Sequence, residues 1–142
     1  MKMNEGEKQK IIEHSMFLAD KGYVKNVGTS TITYSNDGIA VIITFEPNSD
    51  ISDVFIKFIA ENEIFSVGWI VCVRSGLQIN PHQRLENVLM LLSYLRENYS
   101  SVVEINYCRE SNQLIGEFIA KLQEIGVKFE NIKRGRLFFC IA

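Results

Sequence analysis

Apolar residues recur along the chain first at three- and four-residue intervals, then at every second position, then at three and four again. Between Glu5 and Lys21, Ile11, Ile12, Ser15, Met16, Leu18 and Ala19 fall on one face of a helix. Gly22 is its natural stop, because glycine takes the left-handed conformation at little cost. Four strands are expected next. Thr31–Ser35 and Ile39–Glu46 flank Asn36-Asp37-Gly38, and Asp-Gly between two apolar runs is a hairpin signal. In the second of these runs Ile39, Val41, Ile43 and Phe45 share one face and Ala40, Ile42 and Thr44 the other. Both faces are largely apolar, which predicts a central strand covered on both sides. Pro47-Asn48-Ser49-Asp50 reads as a turn, Asp53–Ile59 as the third strand, and Glu61-Asn62-Glu63 as another turn. Ile64–Arg74 is expected to be the fourth strand, with Phe65, Val67, Trp69, Val71 and Val73 on one face and Gly68 at a bulge or close approach. Short links between all four favour an antiparallel meander.

The period then changes. Asn80-Pro81, with Gln83 as a capping-box partner, is expected to open a helix running to about Tyr99. Leu85, Val88, Leu89, Leu92 and Leu95 form its stripe, widened by Met90, Leu91 and Tyr94. Val102–Tyr107 reads as a short strand. Ser111–Ile125 reads as a further helix with Leu114, Ile115, Phe118, Ile119, Leu122 and Ile125 inward and Gly126 as its stop, and Arg136–Ile141 as a last strand. Strands grouped first and helices later indicate an α+β domain spanning residues 1–142. The expected architecture is an antiparallel meander of four to six strands packed against two or three helices.

Composition narrows the class rather than the function. At 142 residues, 46% apolar and 23% charged, the chain suits one globular domain with a substantial core. The N-terminal MKMNEGEKQKIIEHS has no apolar signal region, and the longest uncharged apolar-rich run, Ile64–Val73, is about half the ~20 residues of a spanning helix. The expectation is a soluble cytoplasmic protein without a membrane partner. Net charge is −2, with ten Lys/Arg against fifteen Asp/Glu up to residue 120 and five against two after it. That balance argues against a dedicated nucleic-acid binder, which shows a broad basic face. The basic end, Lys128, Lys133, Arg134 and Arg136 interleaved with Phe129, Phe138 and Phe139, is read instead as leading into a buried strand.

The search for chemistry mostly subtracts. The chain has no GxxxxGK[ST] loop, no GxGxxG after a strand, no HExxH and no GxSxG. Cys72, Cys108 and Cys140 are widely spaced, and two histidines give poor support for zinc, so no metal or other cofactor is expected. Cys108, before the third expected helix, is the best nucleophile candidate, with His14 or His82 as its base; a packed thiol and two surface histidines is the plainer reading. Trp69 is expected as a core anchor. An enzymatic function is not indicated.

What stands out is Phe45–Arg74, whose turns carry five carboxylates within eighteen positions: Glu46, Asp50, Asp53, Glu61 and Glu63. They flank turns at sheet ends, where ordinary solvated turns are the plainer reading and a partner-binding edge the next, ahead of paired acid–base catalysis across a cleft. A strand followed by FEPNSDISDV, FSVGWIVCVR and RLENVLMLLSYLRENY resembles small immunity proteins that bacteria encode beside polymorphic toxins. The likeness spans roughly residues 30–100 and lies in strand order, acidic turn and leucine-rich helix, so no functional residue carries over by position. It implies a cytoplasmic, cofactor-free protein that binds and blocks one cognate toxin, with the five acids complementing a basic surface. The alternatives are a homodimer or other assembly subunit formed through an exposed apolar sheet face, or a small enzyme or ligand-binding domain with a pocket near Cys108 or Ser75–Asn80.

Overall fold

A computed structural model of the chain describes residues 4–45, 52–76 and 83–126. Helix α1 (Glu5–Asp20) opens with a capping box: the Asn4 side chain accepts from the Glu7 amide at 2.8 Å, and the Glu7 carboxylate accepts from the Asn4 amide at 3.3 Å. It buries Ile11, Ser15 and Leu18 and stops at Gly22, where φ is +92°. Its apolar stripe is narrower than expected, since Met16 points to solvent.

Strands β1 (Val24–Val27), β2 (Thr31–Ser35), β3 (Ile39–Thr44), β4 (Asp53–Phe58) and β5 (Glu63–Ser66) form an antiparallel meander in chain order. The β2–β3 hairpin turns where Asn36-Asp37-Gly38 requires it: the Asn36 side-chain oxygen accepts from the amides of Gly38 at 2.9 Å and Ile39 at 2.8 Å. Strand β3 is central, as its two apolar faces predict. Strand β1 escaped the sequence reading because all four of its residues are exposed, leaving no alternation of burial to detect.

The principal correction concerns residues 64–74. Only Ile64–Ser66 lie in a strand; Val67–Ser75 form helix α2. Trp69, Val71 and Val73 are therefore not strand neighbours of Phe65. Val67, Ile70 and Val71 face the core at helical spacing instead. The signals for this helix were Ser66, whose hydroxyl accepts from the Trp69 amide at 3.1 Å, and Gly76, the left-handed residue closing it at φ +64°.

Helix α3 (Arg84–Glu97) buries Val88, Leu91, Leu92 and Leu95 as the heptad-like stripe predicts. Gln83 stands at its N-cap rather than serving as the partner of an Asn80 cap, and Asn80 and Pro81 lie outside the described residues. The expected strand at 102–107 is replaced by a short helix α4 (Tyr99–Val102) and the start of helix α5 (Ile105–Glu124). The early start of α5 was hidden by Ser111, a buried polar residue within its inward stripe. Its hydroxyl donates to the Tyr107 carbonyl at 2.7 Å and accepts from Arg74 Nε at 3.0 Å. The expected strand 136–141 lies outside the described residues.

The helices gather on one face of the sheet. Alternation on β2, β3 and β4 sends Ile32, Tyr34, Val41, Ile43, Val54, Ile56 and Phe58 into that core, where they meet Ile11, Leu18, Ile70, Leu91, Leu92 and Leu95. The buried Ser15 hydroxyl is paired: it meets Tyr34 OH at 2.7 Å and bonds the Ile11 carbonyl. On the opposite face Ala40 is buried and Thr33, Ile42, Phe55 and Lys57 are half-buried, so β3 is covered more completely on the helix side.

Candidate functional site

Strand β4 separates Asp53 from Glu61 and Glu63, three of the five carboxylates expected to act together. Asp53 begins the strand opposite Thr44, while Glu63 pairs with Phe58 at its far end. Six residues of strand put about 17 Å between these ends. Glu46 and Asp50 lie outside the described residues.

Asp53 faces into the structure. Its Oδ1 accepts from its neighbour's amide, Val54 N, at 2.7 Å and from Gly68 N in the first turn of α2 at 3.0 Å. Its Oδ2 accepts a short hydrogen bond from the Ser66 hydroxyl, which itself caps α2 through the Trp69 amide. Two of the amides that a helix start leaves unpaired are thus satisfied, one by Asp53 and one by Ser66. Burial drives the Asp53 carboxyl up from 3.8 to about 6, against the three hydrogen bonds that favour its charged form. Gly68 makes the approach feasible: a Cβ there would stand 2.8 Å from Asp53 Oδ1. With both lone-pair sets engaged, Asp53 fastens β4 to α2 and is not displayed to a partner.

At the other end the chain reverses through Ile59–Asn62, with Asn62 amide bonded to the Ile59 carbonyl at 3.2 Å and Asn62 itself at φ +53°, which asparagine tolerates. Glu61 is exposed at this turn. Glu63 is half-buried and pairs with Arg109 of α5 at 2.9 Å. The turn also displays two large apolar side chains, Ile59 at 43% and Ile64 at 55% exposure, which the sequence reading placed within strands and did not single out. Exposed isoleucines beside a carboxylate on a hydrogen-bonded hairpin combine apolar area with charge, the mixture found at protein interfaces.

The remaining chemical candidates are absorbed by packing. Cys108 is fully buried in the first turn of α5, its thiol donating to the Val102 carbonyl at 3.2 Å. Desolvation lifts its pKa to about 11, outweighing the opposing charge of Arg74, so it is a poor nucleophile. His14 lies on α1 with Nδ1 3.0 Å from the Lys10 carbonyl, and His82 lies outside the described residues. Trp69 is half-buried and meets Phe118 of α5 edge-to-face at 6.1 Å, joining two helices rather than anchoring a strand. Arg74 lies 4.3 Å from the Tyr107 ring centroid, bonds Ser111 and the Tyr107 carbonyl, and pairs with Glu110 at 3.6 Å. Tyr107 OH in turn meets Tyr94 OH at 2.7 Å. Each charge in this cluster is matched from within.

Among the described residues no three or more His, Cys, Asp and Glu side chains come together as a metal site. No described helix is long and apolar enough to cross a membrane. Comparison with protein-family models, curated proteins and solved structures found no match to this chain.

Proposed function

We propose that the protein is a protein-binding module, and that it acts as an immunity protein neutralising a bacterial toxin. The supporting observation is the β4–β5 turn, where Ile59, Glu61 and Ile64 stand exposed on a hairpin fixed by the β3–β4–β5 ladder. A rigid platform with apolar anchors loses little entropy on binding, and the carboxylate steers a basic partner toward it. The resemblance of 30–100 to immunity proteins supports the toxin as the partner's class. Of the three expected acids that lie within the described residues, Asp53, Glu61 and Glu63, this reading retains Glu61 as a free contact, with Glu63 at the rim beside Arg109.

The test pairs the protein with the product of the adjacent gene. Co-expression should relieve the growth defect that product causes, and the two should co-elute in size-exclusion chromatography. The double variant Ile59→Asp/Ile64→Asp should fold and lose both effects. A neighbour without toxicity, or binding unaffected by the double variant, would remove the basis for this reading.

A second reading, self-association through the sheet, is favoured by Val24 at 70% and Val27 at 41% exposure on edge strand β1. Sedimentation across a hundredfold concentration range discriminates the two, and the single charge substitution Val24→Lys should abolish any dimer.

A further inference from the structure

The segment Ile64–Val73 is uncharged, rich in β-branched residues and alternates as a strand does, yet the chain leaves the sheet at Ser66 and turns helical at Val67. We infer that Asp53 is a conformational selector: its carboxylate holds residues 67–75 as helix α2 and prevents them from extending strand β5. The register makes the competition specific. Strand β5 pairs Phe55 with Ser66 and Ile56 with Phe65; continued, it would place Val67 opposite Val54 and Gly68 opposite Asp53. The same two positions meet in the observed fold, but there the side chain of Asp53 occupies the Gly68 amide at 3.0 Å, and the Ser66 hydroxyl is drawn into the bond with Asp53 Oδ2. The clasp engages the first amides of the helix in place of a ladder and leaves β5 only four residues long. A short edge strand is a poor template for pairing with another chain, whereas a strand running on through residue 73 would offer a long apolar edge.

The experiment uses the full chain carrying Asp53→Ala, Asp53→Asn or Ser66→Ala, read by backbone NMR and by hydrogen exchange. In Asp53→Ala, the Cα shifts of residues 67–72 are expected to change from helical to strand sign, while those of Leu91 and Leu92 in α3 stay helical. Light scattering on concentration should rise at least tenfold over the unaltered protein as the edge lengthens. Asp53→Asn keeps an acceptor oxygen for Gly68 and should remain helical. If Asp53→Ala does not fold, Ser66→Ala, which removes the second half of the clasp, is read in the same way. Helical shifts retained in both disruptive variants overturn the inference. So do coil shifts without strand sign, which would make Asp53 a cap and no more. Loss of α3 together with α2 in both variants also overturns it, because the clasp would then support the domain at large.

Discussion

The two ends of strand β4 carry the same kind of residue in opposite circumstances. At one end Asp53 is enclosed, bonded by Val54, Ser66 and Gly68 and lifted to about 6. At the other, Glu61 is exposed and Glu63 forms a surface pair with Arg109. The difference lies in the backbone that adjoins each end. Beyond Glu61 the chain closes a hairpin and its amides find ladder partners. Next to Asp53 a helix begins, and a helix start presents unpaired amides that a carboxylate satisfies. A carboxylate beside a turn thus stays at the surface or becomes a structural fastener according to the backbone donors that happen to face it.

The sharpest way to break this comparison is to give both ends an apolar residue of similar size. Asp53→Leu strands the Gly68 amide and the Ser66 hydroxyl and should lower unfolding stability by about 3 kcal/mol, while Glu61→Leu should stay within about 0.5 kcal/mol. Urea denaturation of the two variants measures it; equal losses would erase the distinction.

Titration sharpens the same contrast. Because the folded value of Asp53 lies above its ordinary 3.8, the folded state holds that proton more tightly than the unfolded chain. The stability linked to that proton is therefore fully present below about pH 4 and is lost as pH rises through about 6, while the hydrogen bonds from Ser66, Val54 and Gly68 to the carboxylate remain. The groups bonded to this carboxyl, Ser66 and the amides of Val54 and Gly68, carry no charge of their own. Between the unaltered protein and Asp53→Asn, the difference in stability should change by up to ~3 kcal/mol from pH 7 to pH 4, at ~1.4 kcal/mol per pH unit. Glu61→Gln should leave that profile unmoved.

Smaller effects probe the geometry. Gly68→Ala brings a methyl group to 2.8 Å from a carboxylate that three bonds hold in place, so it should cost about 2 kcal/mol, and combining it with Asp53→Ala should recover part of that loss. Thermal melts of the single and double variants give the coupling. At the exposed end, Glu63→Gln should cost only ~0.5 kcal/mol, since its pair with Arg109 is open to water.

Much of the scaffold was legible because local chemistry and tertiary burial agreed. Asn36-Asp37-Gly38 dictated its hairpin, the two-sided apolar pattern of Ile39–Phe45 put that strand in the middle, and the leucine stripe of α3 became the core stripe. Residues 64–74 form a helix from Val67 where a strand was expected because a short apolar-rich segment satisfies both periods: Val67, Trp69, Val71 and Val73 alternate, while Val67, Ile70 and Val71 also line a helix. Ser66 and Gly76 were the available correctives, and their meaning depends on which residues lie opposite. Strand β1 was invisible for the reverse reason, having no buried side at all. In the candidate site, composition identified the acid-bearing turns, but not which carboxylate would be enclosed or that Ile59 and Ile64 would be left outside.

By itself the sequence determined the α+β class, the antiparallel meander, the identities of most core residues and the absence of the common phosphate, zinc and hydrolase motifs. These rest on periodicity, turn chemistry and residue type, all of which act over a few neighbouring positions. Tertiary structure decided the fates of Asp53, Cys108 and residues 67–75. Each depends on groups distant in sequence: Gly68 for Asp53, the surrounding core for Cys108, and the end of strand β4 for the helix. A local pattern offers an ambivalent segment two structures at similar cost, and a long-range hydrogen bond of modest strength then chooses between them.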